Sequence, residues 1–90
     1  NMSGGHFEYN QRFIKDIYES IEEVIDSNGQ QIDKTYYNYT YPPEIIEKFK
    51  AGIKKLKEAY IYAQRIDWLL SGDDGDESFL KRLKEELNEN

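Results

Sequence analysis

One stretch constrains this chain more than any other. It runs from Pro42-Pro43-Glu44 to Ser71-Gly72. Proline at the first helical position gives up no hydrogen bond, and Glu44 suits the positive end of a helix. Ser71-Gly72 is a stop signal. A helix over 43–71 would be about 40 Å long at 1.5 Å per residue. Phe49, Gly52, Leu56, Ala59, Ala63, Ile66 and Leu70 alternate steps of three and four, a coiled-coil-like seam. Gly52, Ala59 and Ala63 are small, so another helix can approach closely there. From Tyr60 to Leu70 the pattern changes. Ile61 and Trp68 lie off the seam on one flank, Tyr62 and Leu69 on the other. A helix that is apolar on every side must be surrounded.

The rest of the chain is read around that helix. Residues 1–8 form a flexible lead-in. In helix 1, over 9–28, Phe13, Ile14, Ile17, Tyr18, Ile21, Val24 and Ile25 keep helical spacing. Ser27-Asn28-Gly29 ends it, with Gly29 suited to a left-handed conformation. Residues 29–42 are a tyrosine-rich loop. Helix 3, over 76–88, follows an acidic turn, with Asp76 as N-cap and Phe79, Leu80, Leu83 and Leu87 as its apolar stripe. The expected fold is all-α: a hairpin of a short and a long helix, plus a C-terminal helix, in a single small domain. Three helices of unequal length leave part of the long one bare, so a homo-oligomer is expected.

Composition narrows the classes. Ninety residues are enough for one small domain, and the absence of cysteine excludes disulfide scaffolds, thiolate metal sites and cysteine nucleophiles. No apolar run approaches the roughly 20 residues of a membrane span, and no secretion signal is evident, so a cytoplasmic site is expected. Twelve basic against eighteen acidic residues give a net charge of −6. That balance argues against a general nucleic-acid binder, and no direct sequence-specific nucleic-acid contact is expected.

Enzyme chemistry finds little support. Glu19-x-x-Glu22 and Glu44-x-x-Glu47 mimic the paired acidic motifs of all-α nucleotide pyrophosphohydrolases, which hold Mg²⁺. Helical geometry points Glu19 and Glu47 away from the apolar faces, as solvated residues would be. The turn from Asp73 to Glu77 lacks EF-hand spacing and reads more simply as a helix cap. The reading is of a protein without enzymatic activity, metal or cofactor.

Binding chemistry is better represented. Arg65 is a charge embedded in an apolar half-helix. It either pairs with a carboxylate or holds an anion, and pairing is the commoner fate of a buried charge. Arg12 is a second candidate for a phosphate. Tyr62 and Trp68 have the spacing of core residues but could also stack on a base. Tyr37 and Tyr39 sit in the loop, where tyrosines give rigid contact area with a polar tip. His6, the single histidine, is read either as a surface residue or as a ligand contact.

Two segments also carry a resemblance. Ser3-Gly4-Gly5-His6-Phe7-Glu8-Tyr9, and the run from Tyr62-Ala63-Gln64-Arg65-Ile66-Asp67-Trp68 through Ser71-Gly72-Asp73-Asp74-Gly75 to Ser78-Phe79, resemble a family of small bacteriophage and prophage proteins. Pro43 to Lys50 is similar to it as well. The resemblance implies a phage origin and a compact helical build, with no reaction and no catalytic residues. By association with small phage proteins, the expected function is counter-defence. The chain would sequester a small nucleotide immune signal in pockets between subunits. One alternative is an acidic inhibitor of a host defence enzyme, mimicking DNA charge through Glu19, Glu22, Glu23, Asp73, Asp74, Asp76 and Glu77. Another is an oligomeric structural or morphogenesis protein of the virion.

Overall fold

The computed structural model describes residues 5–29 and 40–89. Among these residues there are three α-helices and no strand: α1 (Arg12–Asp26), α2 (Pro43–Leu70) and α3 (Asp76–Glu89). The centre of the tyrosine loop, with Tyr37 and Tyr39, lies outside the described residues. No helix among them is long and apolar enough to cross a membrane.

α2 has the termini its flanking residues dictate. Pro42 is extended, Pro43 opens the helix, and the Pro42 carbonyl accepts from the N–H groups of Ile45 and Ile46. At the far end Gly72 has φ +85°. The Asp73 N–H reaches the Trp68 carbonyl at 2.9 Å and the Gly72 N–H reaches that of Leu69 at 3.2 Å. This is a Schellman ending, which only a left-handed residue after the helix permits.

α1 is shorter than the periodicity suggests. Residues 9–11 belong to a run of turns, in which Glu8 and Tyr9 take φ of 56° and 63°. Past the helix Gly29 adopts φ +81°. Asn28 then clamps the far end of the connection. Its Nδ2 donates to the Tyr41 carbonyl at 3.1 Å, and its Oδ1 accepts from the Tyr41 N–H at 2.8 Å. α3 starts one residue differently from the expectation. Gly75 takes the capping position and Asp76 is already helical. The Ser78 hydroxyl accepts the Gly75 N–H at 3.1 Å, as the third residue of a capping box does.

α1 runs antiparallel along α2, and α3 folds back on the C-terminal half of α2. Among the described residues α1 and α3 each pack on α2 and not on each other. The molecule measures 52 × 28 × 13 Å. Its thinnest dimension is that of a single helix, so the three helices form one layer.

The face that α2 turns to α1 differs from the expected seam. Tyr60 meets Tyr18 edge to face at 6.3 Å, Lys57 pairs with Glu22 at 3.2 Å, and Gln64 and Asp67 bond Gln11. Buried Ile53 lies four residues before Lys57, on the same face. The expected seam is rotated from this face by one residue, and its Ala59 and Leu70 are exposed. Periodicity sums apolar residues, whereas this contact is made largely by polar ones.

Candidate functional site

Among the described residues, the N-terminal turn carries an extended polar arrangement. Gly5 has φ +65°, and the chain then curls through Phe7 to Asn10, whose N–H returns to the Phe7 carbonyl at 3.0 Å. The turn is held by a single carboxylate. Asp67 Oδ1 accepts from the N–H groups of His6 at 2.6 Å and Phe7 at 2.9 Å, and Oδ2 accepts from Gln11 Nε2 at 3.1 Å. Gln11 Nε2 also donates to Gln64 Oε1 at 2.6 Å, while Gln11 Oε1 is buried without a hydrogen-bond partner. Asp67 is only 2% exposed. Burial by itself raises a carboxylate pKa, but hydrogen bonds from Phe7, Gln11 and His6 outweigh it and hold Asp67 below its ordinary value. A Cβ on Gly5 would sit 2.8 Å from Asp67 Oδ2, so the carboxylate and the turn fit only with glycine there. The lead-in expected to be flexible is therefore docked from Gly5 onward.

Docking the turn leaves a shallow cavity of about 450 Å³ that opens broadly to solvent, lined by His6, Phe7, Asn10, Gln11, Ile14 and Ala63. The His6 and Phe7 rings meet edge to face at 5.2 Å. The lining joins two rings, two side-chain amides and a small apolar floor. A second cleft of about 310 Å³ adjoins it through Glu8 and Asn10, with Arg12, Phe13 and Asp16 along its wall. The volumes fall in the range of small-molecule sites, while the first cavity is far more open than such sites usually are.

Arg65 belongs to a different arrangement. It is 3% exposed and lies between α2 and α3. Its guanidinium stacks on the Trp68 ring at 4.2 Å, with Asp74 at 3.9 Å and Glu86 at 3.6 Å. Asp74 is enclosed too and accepts from the Ser78 hydroxyl. Arg65 is thus flanked by two carboxylates at ion-pair distances longer than hydrogen bonds, and its Nε and Asp74 Oδ2 are buried without a hydrogen-bond partner. An anion would have to displace these carboxylates to reach it.

The expected ligand residues are accordingly divided. His6 lines the cavity and Arg12 the adjoining cleft. Tyr62 is exposed, one residue from Ala63. Arg65 and Trp68 face each other away from the cavity. Tyr37 and Tyr39 lie outside the described residues. Sequence reasoning missed Gly5, Phe7, Asn10, Gln11 and Asp67. The available signal was Asp67, an acid inside the same apolar half-helix that singled out Arg65. Among the described residues no group of three or more histidine or acidic side chains converges as metal ligands do. Glu19 pairs with Lys15 and Glu47 with Lys50 along their own helices.

No known family model, no curated protein and no solved structure matches the chain.

Proposed function

We propose that this chain is a non-enzymatic, phage-type counter-defence protein that sequesters a small nucleotide immune signal in the cavity beneath its N-terminal turn. The observation that carries the reading is the cavity itself. It is formed before any ligand arrives, because the bonds to Asp67 fix its rim. Its volume of about 450 Å³ is of the right order for a base and its sugar. Ring edges and faces from His6 and Phe7 suit a nucleobase, and the amides of Asn10 and Gln11 suit its hydrogen-bonding edge. Arg12, in the adjoining cleft, is the phosphate partner that the reading now prefers to Arg65. The open side would be closed by another subunit of a homo-oligomer in the host cytoplasm.

The phage assignment draws only on the resemblance of the two terminal motifs. Those motifs meet in space: Gly5, His6 and Phe7 of the first lie against Asp67 of the second. The competing reading, a DNA-mimicking inhibitor, is weakened by the fate of its acids. Asp74 is enclosed against Arg65, and Glu19 and Glu22 pair with lysines. A virion part would need only the assembly and no cavity.

The test is calorimetric titration of cyclic and linear nucleotide signals into the pure protein, with Ala63→Met as control. Ala63 floors the cavity, so the larger side chain should fill it. Saturable binding to the native chain, reduced at least tenfold in the variant, supports the reading. Equal binding by both, or binding by neither, sinks it.

A further inference from the structure

We infer that the N-terminal turn is a strained strap: residues 5–10 undock from α2 as a unit while the α1–α2 hairpin stays folded, and their undocking dismantles the rim of the cavity. The backbone of the turn carries the strain. The Asn10 N–H returns to the Phe7 carbonyl at 3.0 Å, and the two residues between them, Glu8 and Tyr9, have φ of 56° and 63°. A two-residue turn that is left-handed at both central positions is ordinarily built from Asn-Gly or Gly-Gly, because a Cβ there crowds the following carbonyl. Neither side chain offsets that cost. Both are exposed, and among the described residues neither makes a hydrogen bond, an ion pair or a ring contact.

The attachment that holds this turn down is narrow. Residues 5–10 are tied to α2 by the hydrogen bonds from the His6 and Phe7 N–H groups, and both end on Asp67 Oδ1. Apolar burial adds little, since His6 is exposed and Phe7 only half-buried. Gln11 marks the end of the strap. It is 5% exposed at the start of α1 and bonds both Gln64 and Asp67. Beyond it the hairpin has fastenings of its own: Tyr18 against Tyr60, Glu22 with Lys57, and Asn28 with Tyr41. None of these involves the turn. Strained backbone persists only where its surroundings enforce it, and here one carboxylate does so. A segment with few buried apolar contacts belongs to the part of a structure that opens locally, below the cost of global unfolding.

The strap supplies much of the cavity. His6, Phe7, Glu8 and Asn10 line it from the turn, while Ile14 and Ala63 stay behind on the hairpin. The docked turn is the resting state, and opening is a minor excursion that removes the rim in one step. A ligand gripped by the rim binds the docked turn alone, so it suppresses the opening, and each opening releases it. The release of a nucleotide rests on the proposed function; the strap itself rests only on the backbone geometry and its attachment to Asp67.

The test is native-state amide hydrogen exchange on the whole chain, read at His6, Phe7 and the middle of α2. It compares the native protein with the double variants Glu8→Gly/Tyr9→Gly and Glu8→Ala/Tyr9→Ala. The glycine pair removes the strain, whereas the alanine pair removes the same side chains and keeps the Cβ. In the native chain His6 and Phe7 should exchange at least roughly tenfold faster than the middle of α2, with little dependence on low urea, as local opening does. The glycine pair should slow both amides about tenfold, once the freedom glycine adds to the open turn is deducted. The alanine pair should leave them unchanged. Native amides at His6 and Phe7 that exchange only together with α2 would overturn the inference. So would a glycine pair that exchanges like the native chain, or an alanine pair slowed as much as the glycine pair. Cyclic and linear nucleotide signals added at 100 times their Kd should slow both amides about a hundredfold if the rim grips them. No such slowing, with the glycine effect present, would strike the nucleotide and uphold the strap.

Discussion

The Asp67 carboxylate, near the end of α2, accepts the backbone N–H of His6 at 2.6 Å across a separation of 61 residues. It accepts the Phe7 N–H with the same oxygen and the Gln11 amide with the other. One side chain therefore orders the N-terminal turn, the start of α1 and the rim of the cavity together. The fold and the proposed site share this point.

Asp67→Ala should strip the turn from α2. It leaves two backbone donors and an amide unpaired, and an unsatisfied buried group costs about 1–3 kcal/mol each, partly recovered when the turn moves into water. A net loss of about 3 kcal/mol is expected in urea unfolding. Amide exchange at His6 and Phe7 should become fast while the middle of α2 stays protected. Unchanged protection at both amides would contradict the assignment.

Gly5→Ala should act on the same contact from the other side. A left-handed residue with a Cβ carries roughly 1–2 kcal/mol of strain. The added carbon also meets the Asp67 carboxylate at 2.8 Å. The variant should mimic Asp67→Ala in exchange and ligand binding. Gly52→Ala, where there is open space, should stabilise the isolated helix by up to about 1 kcal/mol.

Acid should release the turn. Asp67 lies below its ordinary pKa in the folded chain and returns to about 3.9 when unfolded. A depressed carboxylate stabilises the fold fully above the unfolded value, and this stabilisation is lost as pH falls through the folded value. The loss should therefore appear below about pH 4. Exchange at Phe7 recorded down that range should rise in the native protein, and Asp67→Asn should show no corresponding step.

Arg65→Ala should detach α3. It leaves the Asp74 carboxylate enclosed without its cation, and breaking a buried pair costs about 3–5 kcal/mol. Removing Asp74 as well should cost less than the two single losses together, because the second change removes the uncompensated charge. Exact additivity in the double variant would show that the two do not interact. Loss of ligand affinity in Arg65→Ala, with α3 still docked by circular dichroism and exchange, would return Arg65 to the binding site.

Much of the helical frame was legible because local signals decide it. Pro42-Pro43 and Ser71-Gly72 mark the ends of α2, and the apolar spacing from Phe13 to Ile25 marks α1, although Tyr18 alone of that face is buried and Phe13, Ile17 and Val24 are exposed. The face of α2 was not legible, since Lys57, Gln64 and Asp67 make contacts that an apolar count scores as solvent. The cavity was hidden for a related reason. It depends on a pairing between Asp67 and backbone groups at the opposite end of the chain, and backbone donors leave no trace in a side-chain pattern. Arg65 was visible as an anomaly, and the enclosed Asp74 and nearby Glu86 explain it.

The proposed function requires that the cavity beneath the docked turn hold a nucleotide. The most direct measurement recovers the protein from cells with active nucleotide-based immunity, denatures it by heat and identifies what is released by mass spectrometry. The native chain should release a nucleotide in stoichiometric amount, and Ala63→Met little or none. A native chain that releases nothing, even after incubation with saturating cyclic and linear nucleotide signals, would contradict it.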